Sequence, residues 1–256
     1  MRRLENRIAI ITGGSRGMGR GYCERFAAEG AKVALVYLSN EKAAKDVLFS
    51  IGEAGGTAKS YRCDVTNLAE IEAMVSSVIS DFGGVDILVN NAGTYLFTPV
   101  DGEGTSEDVW DRQINTNLKS TFFCSQAVVP HMKRRGGGKI INVGSIFGVN
   151  GYPGSSAYCA TKAANDMVTK CLCLELRPYN IQVNTLSPGC VETGLNEEYR
   201  MDESGDFLRT LKQRFGEGDP WLKPEETAGT AVFLASSDAD SVTGANVMVD
   251  LGYSAY

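Results

Sequence analysis

Tyr158 and Lys162 stand four residues apart in Tyr-Cys-Ala-Thr-Lys, and Ser145 lies thirteen positions upstream. Side chains four apart on a helix share a face, so a phenol and an ammonium would project into one space. A free phenol has a pKa of roughly 10. A neighbouring cation stabilises the phenolate and draws that value toward neutral pH. A tyrosine so tuned can pass a proton to or from a substrate oxygen. Tyr-x-x-x-Lys is also common on ordinary helix surfaces, so the rest of the chain must supply the context. Tyr152 is close by but has no lysine partner at helical spacing. Ser155 and Ser156 read as the N-cap of the helix that carries Tyr158. The single histidine, His131, ends a long helical pattern in Pro-His-Met-Lys-Arg-Arg. A solvated or capping role fits it, which excludes His-based triads and most zinc sites; no metal site is expected.

Those side chains need a scaffold, and the start of the chain defines one. Residues 7–12 form a short apolar run that reads as a buried, parallel strand. Gly13-Gly14-Ser15-Arg16-Gly17-Met18-Gly19 follows at once. Apolar residues at helical spacing then run through 20–29, and Gly30 supplies a stop. Strand, glycine turn and helix together form an entry for a dinucleotide, because glycines admit the pyrophosphate and the helix N-terminus offers free N–H groups. Further strands are read at 32–37, 58–63, 85–90, 139–143, 182–186 and 246–250, with helical patterns between them. That alternation predicts an α/β fold: a Rossmann-type doubly wound parallel sheet of about seven strands with helices on both faces. With 43% hydrophobic residues, 256 residues suffice for one such domain, and no linker or repeat divides residues 1–256.

The ordered set of motifs resembles the short-chain dehydrogenase/reductase family. The family's cofactor loop, Thr-Gly-x-x-x-Gly-x-Gly, matches Thr12 to Gly19. Its Asn-Asn-Ala-Gly segment matches Asn90 to Gly93, and its helical asparagine matches Asn117, which precedes Leu118. Ser145, Tyr158 and Lys162 match its catalytic residues, and Pro188-Gly189 its segment after the sixth strand. The resemblance implies hydride transfer between a nicotinamide cofactor and a ketone or secondary alcohol. It casts Tyr158 as acid/base, Ser145 as the group that polarises the substrate oxygen, and Lys162 as partner of the phenol and of the nicotinamide ribose. It gives Asn117 a water on a proton path from Lys162. It implies cofactor contacts at Gly13, Ser15, Arg16, Gly17, Met18, Gly19, Asn91, Ala92 and Gly93, and at Val65, Pro188, Gly189, Val191 and Thr193. Asp64 either bonds the adenine amino group or caps the turn before Asn67. Two departures stand out: Gly144-Ser145 replaces a pair of serines, and Val249-Asp250-Leu251-Gly252 replaces Val-Asp-Gly-Gly.

The choice of cofactor turns on the end of the second strand. NAD sites place a carboxylate there for the ribose 2′-hydroxyl. Here the strand runs into Leu38-Ser39-Asn40, and Glu41 reads as the opening of the next helix. Arg16 stands where a 2′-phosphate would arrive, with Ser39 and Asn40 as added hydrogen-bonding groups, so NADP(H) is expected ahead of NAD(H). A non-catalytic NADP-binding regulator is the competing function; related proteins of that kind lose the tyrosine or the lysine, whereas both are kept here.

Residues 193–221, after Pro188-Gly189, read either as a mobile lid over the substrate or as solvated surface helices, with Phe207, Leu208 and Phe215 as apolar anchors. Tyr95, Leu96, Phe147, Val149 and Tyr152 are expected to line a pocket for a neutral, partly apolar ketone or alcohol. The net charge of −6 argues against broad nucleic-acid affinity. No apolar run reaches the roughly 20 residues of a membrane span, and the first seven residues leave no room for a signal peptide. Seven scattered cysteines fit reduced thiols in the cytoplasm. The resemblance implies a homo-oligomer, a tetramer, paired through helices at about 107–135 and 156–177.

Overall fold

The computed structural model describes residues 2–101, 105–201, 205–215 and 218–255. In chain order the first half runs β1 (Ile8–Thr12), α1 (Gly17–Ala28), β2 (Lys32–Tyr37), α2 (Glu41–Glu53), β3 (Thr57–Arg62), α3 (Leu68–Phe82) and β4 (Ile87–Asn90). The second half runs α4 (Glu107–Ile114), α5 (Ser120–Arg134), β5 (Gly138–Val143), α6 (Ser156–Leu176) and β6 (Ile181–Pro188), then α7 (Glu197–Met201), α8 (Asp206–Phe215), α9 (Pro224–Ala235) and β7 (Asn246–Val249). The seven strands form one parallel sheet in the order β3-β2-β1-β4-β5-β6-β7. The chain reverses direction across the sheet between β1 and β4, so the crevice beyond their C-terminal ends is the switch point where such sheets bind ligands.

Alternate strand residues feed two separate cores. Ala9, Ile11, Val33 and Leu35 pack under α1, α2 and α9. Ile8, Ile10, Ala34 and Val36 pack under α3, α5 and α6. Burial on both faces explains why these strands read as continuous apolar runs rather than alternating ones. β4 begins at Ile87, two residues later than read from the sequence, and Asp86 just before it joins the neighbouring strands through its backbone, donating to Ile8 O and accepting from Lys139 N, each at 2.9 Å. Its carboxylate accepts from the backbone of Ile8 at 2.9 Å and from Arg135 Nε at 2.8 Å.

The helix expected over 107–135 is interrupted. Asn115–Lys119 forms a π-helical turn between α4 and α5, and Asn117 sits in its middle. The Leu251 departure has a visible consequence: its φ of 54° is left-handed, a region that favours glycine. Among the described residues, no helix is long and apolar enough to cross a membrane.

Candidate active site

The functional side chains are carried by several different elements at the C-terminal edge of the sheet. α1 starts at Gly17, whose φ of 53° lets the loop turn sharply into the helix. Gly19 packs so close to the loop that an added Cβ would strike the carbonyl of Gly13 and lie 2.6 Å from Asn91 Nδ2. Thr12 ties this loop to the strand beside it: its hydroxyl accepts from the backbone of Asn91 and of Ala92, each at 3.0 Å. Asn91 Nδ2 donates back to the Thr12 carbonyl at 2.9 Å. Asn90 braces the adjoining strand, donating to Asn142 Oδ1 at 2.9 Å.

These pieces wall a cleft of about 290 Å³ lined by Gly13, Ser15, Arg16, Gly17, Met18 and Gly19, by Ser39, Asn40, Asp64 and Val65, and by Asn91, Ala92 and Gly93. A second cavity of about 110 Å³ continues from it, past Tyr158, Lys162, Pro188, Gly189, Val191 and Thr193. Every residue expected to touch the dinucleotide therefore lies along one continuous trough. Its glycine cradle and helix N-terminus fit a pyrophosphate. Asp64 makes a turn of its own, accepting from Thr66 N at 2.9 Å and Thr66 Oγ1 at 2.7 Å, while still lining the cleft. Asn40 caps α2 by accepting from Ala43 N at 2.9 Å. Glu41 is paired with Lys45 at 2.7 Å along the helix, away from the cleft lining.

α6 carries Tyr158 and Lys162 on one face, and alanines at 157, 160, 163 and 164 favour the helix that does so. The Lys162 ammonium reaches the end of β5 and donates to the Val143 carbonyl at 2.8 Å. It is 6% exposed and lies 5.5 Å from the centre of the Tyr158 ring. Burial lowers its pKa to about 8. Ser145 follows β5 in extended conformation and accepts from Phe147 N at 3.1 Å. Burial pushes the Tyr158 phenol up to about 12, and a hydrogen bond with the Ser145 side chain opposes that rise. The expected acidification of the phenol by Lys162 is not seen: burial sets the direction, and the opposing influence comes from Ser145. The spacing placed the two groups side by side but could not report how dry their surroundings are.

Two further expectations change. Ser155 occupies the N-cap position of α6 without capping it; its hydroxyl instead meets the Tyr95 hydroxyl at 2.9 Å. Asn117 donates both amide hydrogens, to Thr94 O at 2.8 Å and Thr161 Oγ1 at 3.3 Å, and its Oδ1 accepts from Thr94 N at 2.8 Å. Its side chain thus clamps the loop after β4 and keeps no donor for the water expected there. Gly144 stands where the family has a serine because a Cβ would collide with the Ser187 hydroxyl and lie 2.7 Å from Thr185 Cγ2.

Beside Ser145 and Tyr158 a third cavity, of about 90 Å³, is walled by Tyr95, Phe147, Tyr152 and Phe207. Val149 and Leu96 do not line it; Val149 faces solvent. Ile146, Cys190, Leu195 and Asn196 do line it and were not singled out from the sequence. The sequence signal for Ile146 and Cys190 was adjacency to Ser145 and to Pro188-Gly189, and for Leu195 and Asn196 their place in the 193–221 segment. Among the described residues, no group of three or more His, Cys, Asp or Glu is placed to hold a metal ion.

A doubly wound sheet with a glycine cradle at its switch point, and a tyrosine, lysine and serine on the wall of the trough, defines a nicotinamide-dependent oxidoreductase. Comparison with known proteins agrees. Residues 7–204 match the short chain dehydrogenase family, and the chain belongs to it. It is 35% identical to 3beta-hydroxysteroid dehydrogenase 1 of Eggerthella lenta, over 99% of this chain and 95% of that one. It is 35% identical to cyclopentanol dehydrogenase of Comamonas sp., over 100% of both chains. The crystal structure of a gluconate 5-dehydrogenase from Burkholderia cenocepacia, in complex with NADP and tartrate, superposes with a TM-score of 0.92 at 36% identity, covering 99% of this chain and 97% of that one. The protein is an NAD(P)-dependent oxidoreductase acting on CH–OH groups.

Proposed function

We propose that the protein interconverts a ketone and a secondary alcohol with NADP(H) as the preferred cofactor and Tyr158 as the general acid/base. The observation that carries this reading is the shared wall: Ser145 and Tyr158 line both the inner end of the dinucleotide trough and the aromatic cavity. A carbonyl held in that cavity meets both hydroxyls at once. Bound nicotinamide would supply or accept the hydride. The chain's own residues do the rest. Ser145 donates to the substrate oxygen and stabilises the charge that develops there. Tyr158, a neutral phenol at pH 7, gives its proton to that oxygen in reduction and recovers it in oxidation. Lys162 holds positive charge beside the phenol and favours the phenolate as it forms. Asn117 acts through position, fixing Thr94 and the loop that walls the site.

NADP preference rests on the rim of the cleft, where exposed Arg16 stands with Ser39 and Asn40 and, among the described residues, no carboxylate lines the cavity except Asp64. The NADP bound by the Burkholderia relative is consistent with it. Residues 193–221 act as a substrate lid in this reading. Their base is pinned by a bridge between Val191 and Leu222, and Leu195, Asn196 and Phe207 reach the substrate cavity. Residues 202–204 and 216–217 of that segment lie outside the described residues. Exposed Phe122, Met167 and Leu174 on α5 and α6 support assembly of like chains into a tetramer. The seven unpaired cysteines are compatible with a reducing, cytoplasmic setting.

Assays that follow NADPH absorbance against ketones and alcohols test the reading. We expect kcat/KM to favour NADP over NAD by at least about tenfold, and Arg16→Ala to cost about 1–3 kcal/mol in NADPH binding while sparing NADH, as for loss of a charged hydrogen bond. A tenfold preference for NAD, about 1.4 kcal/mol the other way, would overturn the cofactor assignment.

A further inference from the structure

We infer that the aromatic cavity accepts a neutral alicyclic alcohol or ketone of a single ring, and that Phe207 sets the size limit. This rests on the ketone–alcohol reading above and narrows it to a substrate class. The first support is volume. At about 90 Å³ the cavity is far below the roughly 300–1,000 Å³ of pockets that hold drug-sized ligands. A fused multi-ring skeleton does not fit beneath the present roof.

That roof is Phe207. Its ring lies edge-on to Tyr152 with centroids 5.4 Å apart, and 6.4 Å from Phe147. Trp221 backs it at 6.0 Å. α8 holds it down through Leu208 and Leu211, which are buried against Ile146, Cys190 and Tyr253. Phe147 and Tyr152 are nearly parallel, with centroids 5.2 Å apart and planes 23° from each other. Tyr95 closes the remaining side, its ring edge-on to Tyr158 at 5.0 Å.

The second support is where the polar atoms are committed. The Tyr95 hydroxyl is engaged with Ser155, so the ring forms that wall. Asn196 donates to the Val191 carbonyl at 2.7 Å, and its Oδ1 accepts from Thr193 N at 3.2 Å. Among the described residues, no Asp, Glu, Lys or Arg side chain lines the cavity. The hydroxyls of Ser145 and Tyr158 converge on one point, which matches one substrate oxygen. A polyol bound there would bury further hydroxyls against ring faces, each losing its water without a replacement. A saturated ring with one oxygen buries only C–H surface against the same rings.

The test is a panel oxidised by the full chain with NADP: cyclohexanol, cyclopentanol, galactitol and a 3-hydroxysteroid. Wild-type kcat/KM is expected to be at least about 100-fold higher for a cyclic alcohol than for galactitol, and to be lowest or near lowest for the steroid. Phe207→Ala should raise the steroid-to-cyclohexanol ratio by about tenfold or more, with Phe207→Leu as a milder change that keeps the α8 packing. NADPH fluorescence titration verifies that each variant binds cofactor. Galactitol turned over as well as the rings, or steroid as well as cyclohexanol by the wild type, would overturn the substrate class and leave hydride transfer standing. A steroid-to-cyclohexanol ratio unmoved in both variants would overturn the role of Phe207. If NADPH binds and no alcohol in the panel reacts, the ketone–alcohol reading falls, and this inference with it.

Discussion

Lys162 bears the clearest conflict between stability and function in the molecule. An ammonium needs either water or a carboxylate, and this one has a single backbone carbonyl, that of Val143. Burial lowers its pKa from 10.5 to about 8. Between those values the unfolded chain holds a proton that the folded chain has released, so stability rises with pH across that window. Below about pH 8 the folded protein bears the full cost of the buried charge. Lys162→Met is therefore expected to stabilise the cofactor-free protein at pH 7 by roughly 1–3 kcal/mol, with the advantage fading as pH rises through 8 toward 10.5. The same change should sharply reduce turnover. Urea denaturation of both proteins at several pH values checks this; equal stability at pH 7 would show that the charge is well solvated after all. Spacing alone made Tyr158 and Lys162 legible as a pair. It could not make their pKa directions legible, because those depend on burial among residues distant in the chain, such as Val143 beside Lys162 and Tyr95 and Phe147 beside Tyr158.

Among the elements, the strands were the most legible because the sheet is covered on both faces, which makes each inner strand a run of apolar residues. The glycine loop was legible through its setting between β1 and α1. The π-helical turn at Asn115–Lys119 was not, since the extra residue is accommodated by a contact with Thr94, far away in sequence. Ser155 misled for a similar reason: its hydroxyl meets Tyr95, sixty residues earlier, instead of the helix it precedes. The turn after β7 carries a prediction of its own. Leu251 is 56% exposed and has a φ of 54°, so it bears left-handed strain with little burial in return. That conformation costs an L-residue about 1–2 kcal/mol. Glycine relieves it but loses more entropy on folding. Leu251→Gly should raise stability by about 0.5–1 kcal/mol, a Tm increase of about 1–4 °C for a chain of this size. Unchanged or lowered Tm would mean that the leucine packs against something in the assembled protein.

At the scale of the whole molecule, the sheet brings together groups that lie far apart in the chain. Thr12, Asn91, Asn117, Ser145, Lys162 and Pro188 come from six separate segments and meet along one edge, with the dinucleotide trough on one side of Tyr158 and the aromatic cavity on the other. The order of the motifs made this convergence legible, and the trough contains every residue expected of it. The substrate cavity was only half legible: Phe207 stood out as an apolar anchor, but Cys190 and Asn196 lie in the stretch between β6 and α7, where no periodic pattern betrays which side chain turns inward. If Tyr158 is the proton donor at the junction, removing one oxygen should stop the chemistry without disturbing either cavity. The direct measurement is kcat for ketone reduction by Tyr158→Phe, with NADPH affinity measured alongside. The account predicts a loss of about 10²–10⁴-fold in kcat with the NADPH Kd close to wild type. A variant that kept more than about a tenth of wild-type kcat would contradict it, since a lost general acid costs more than that.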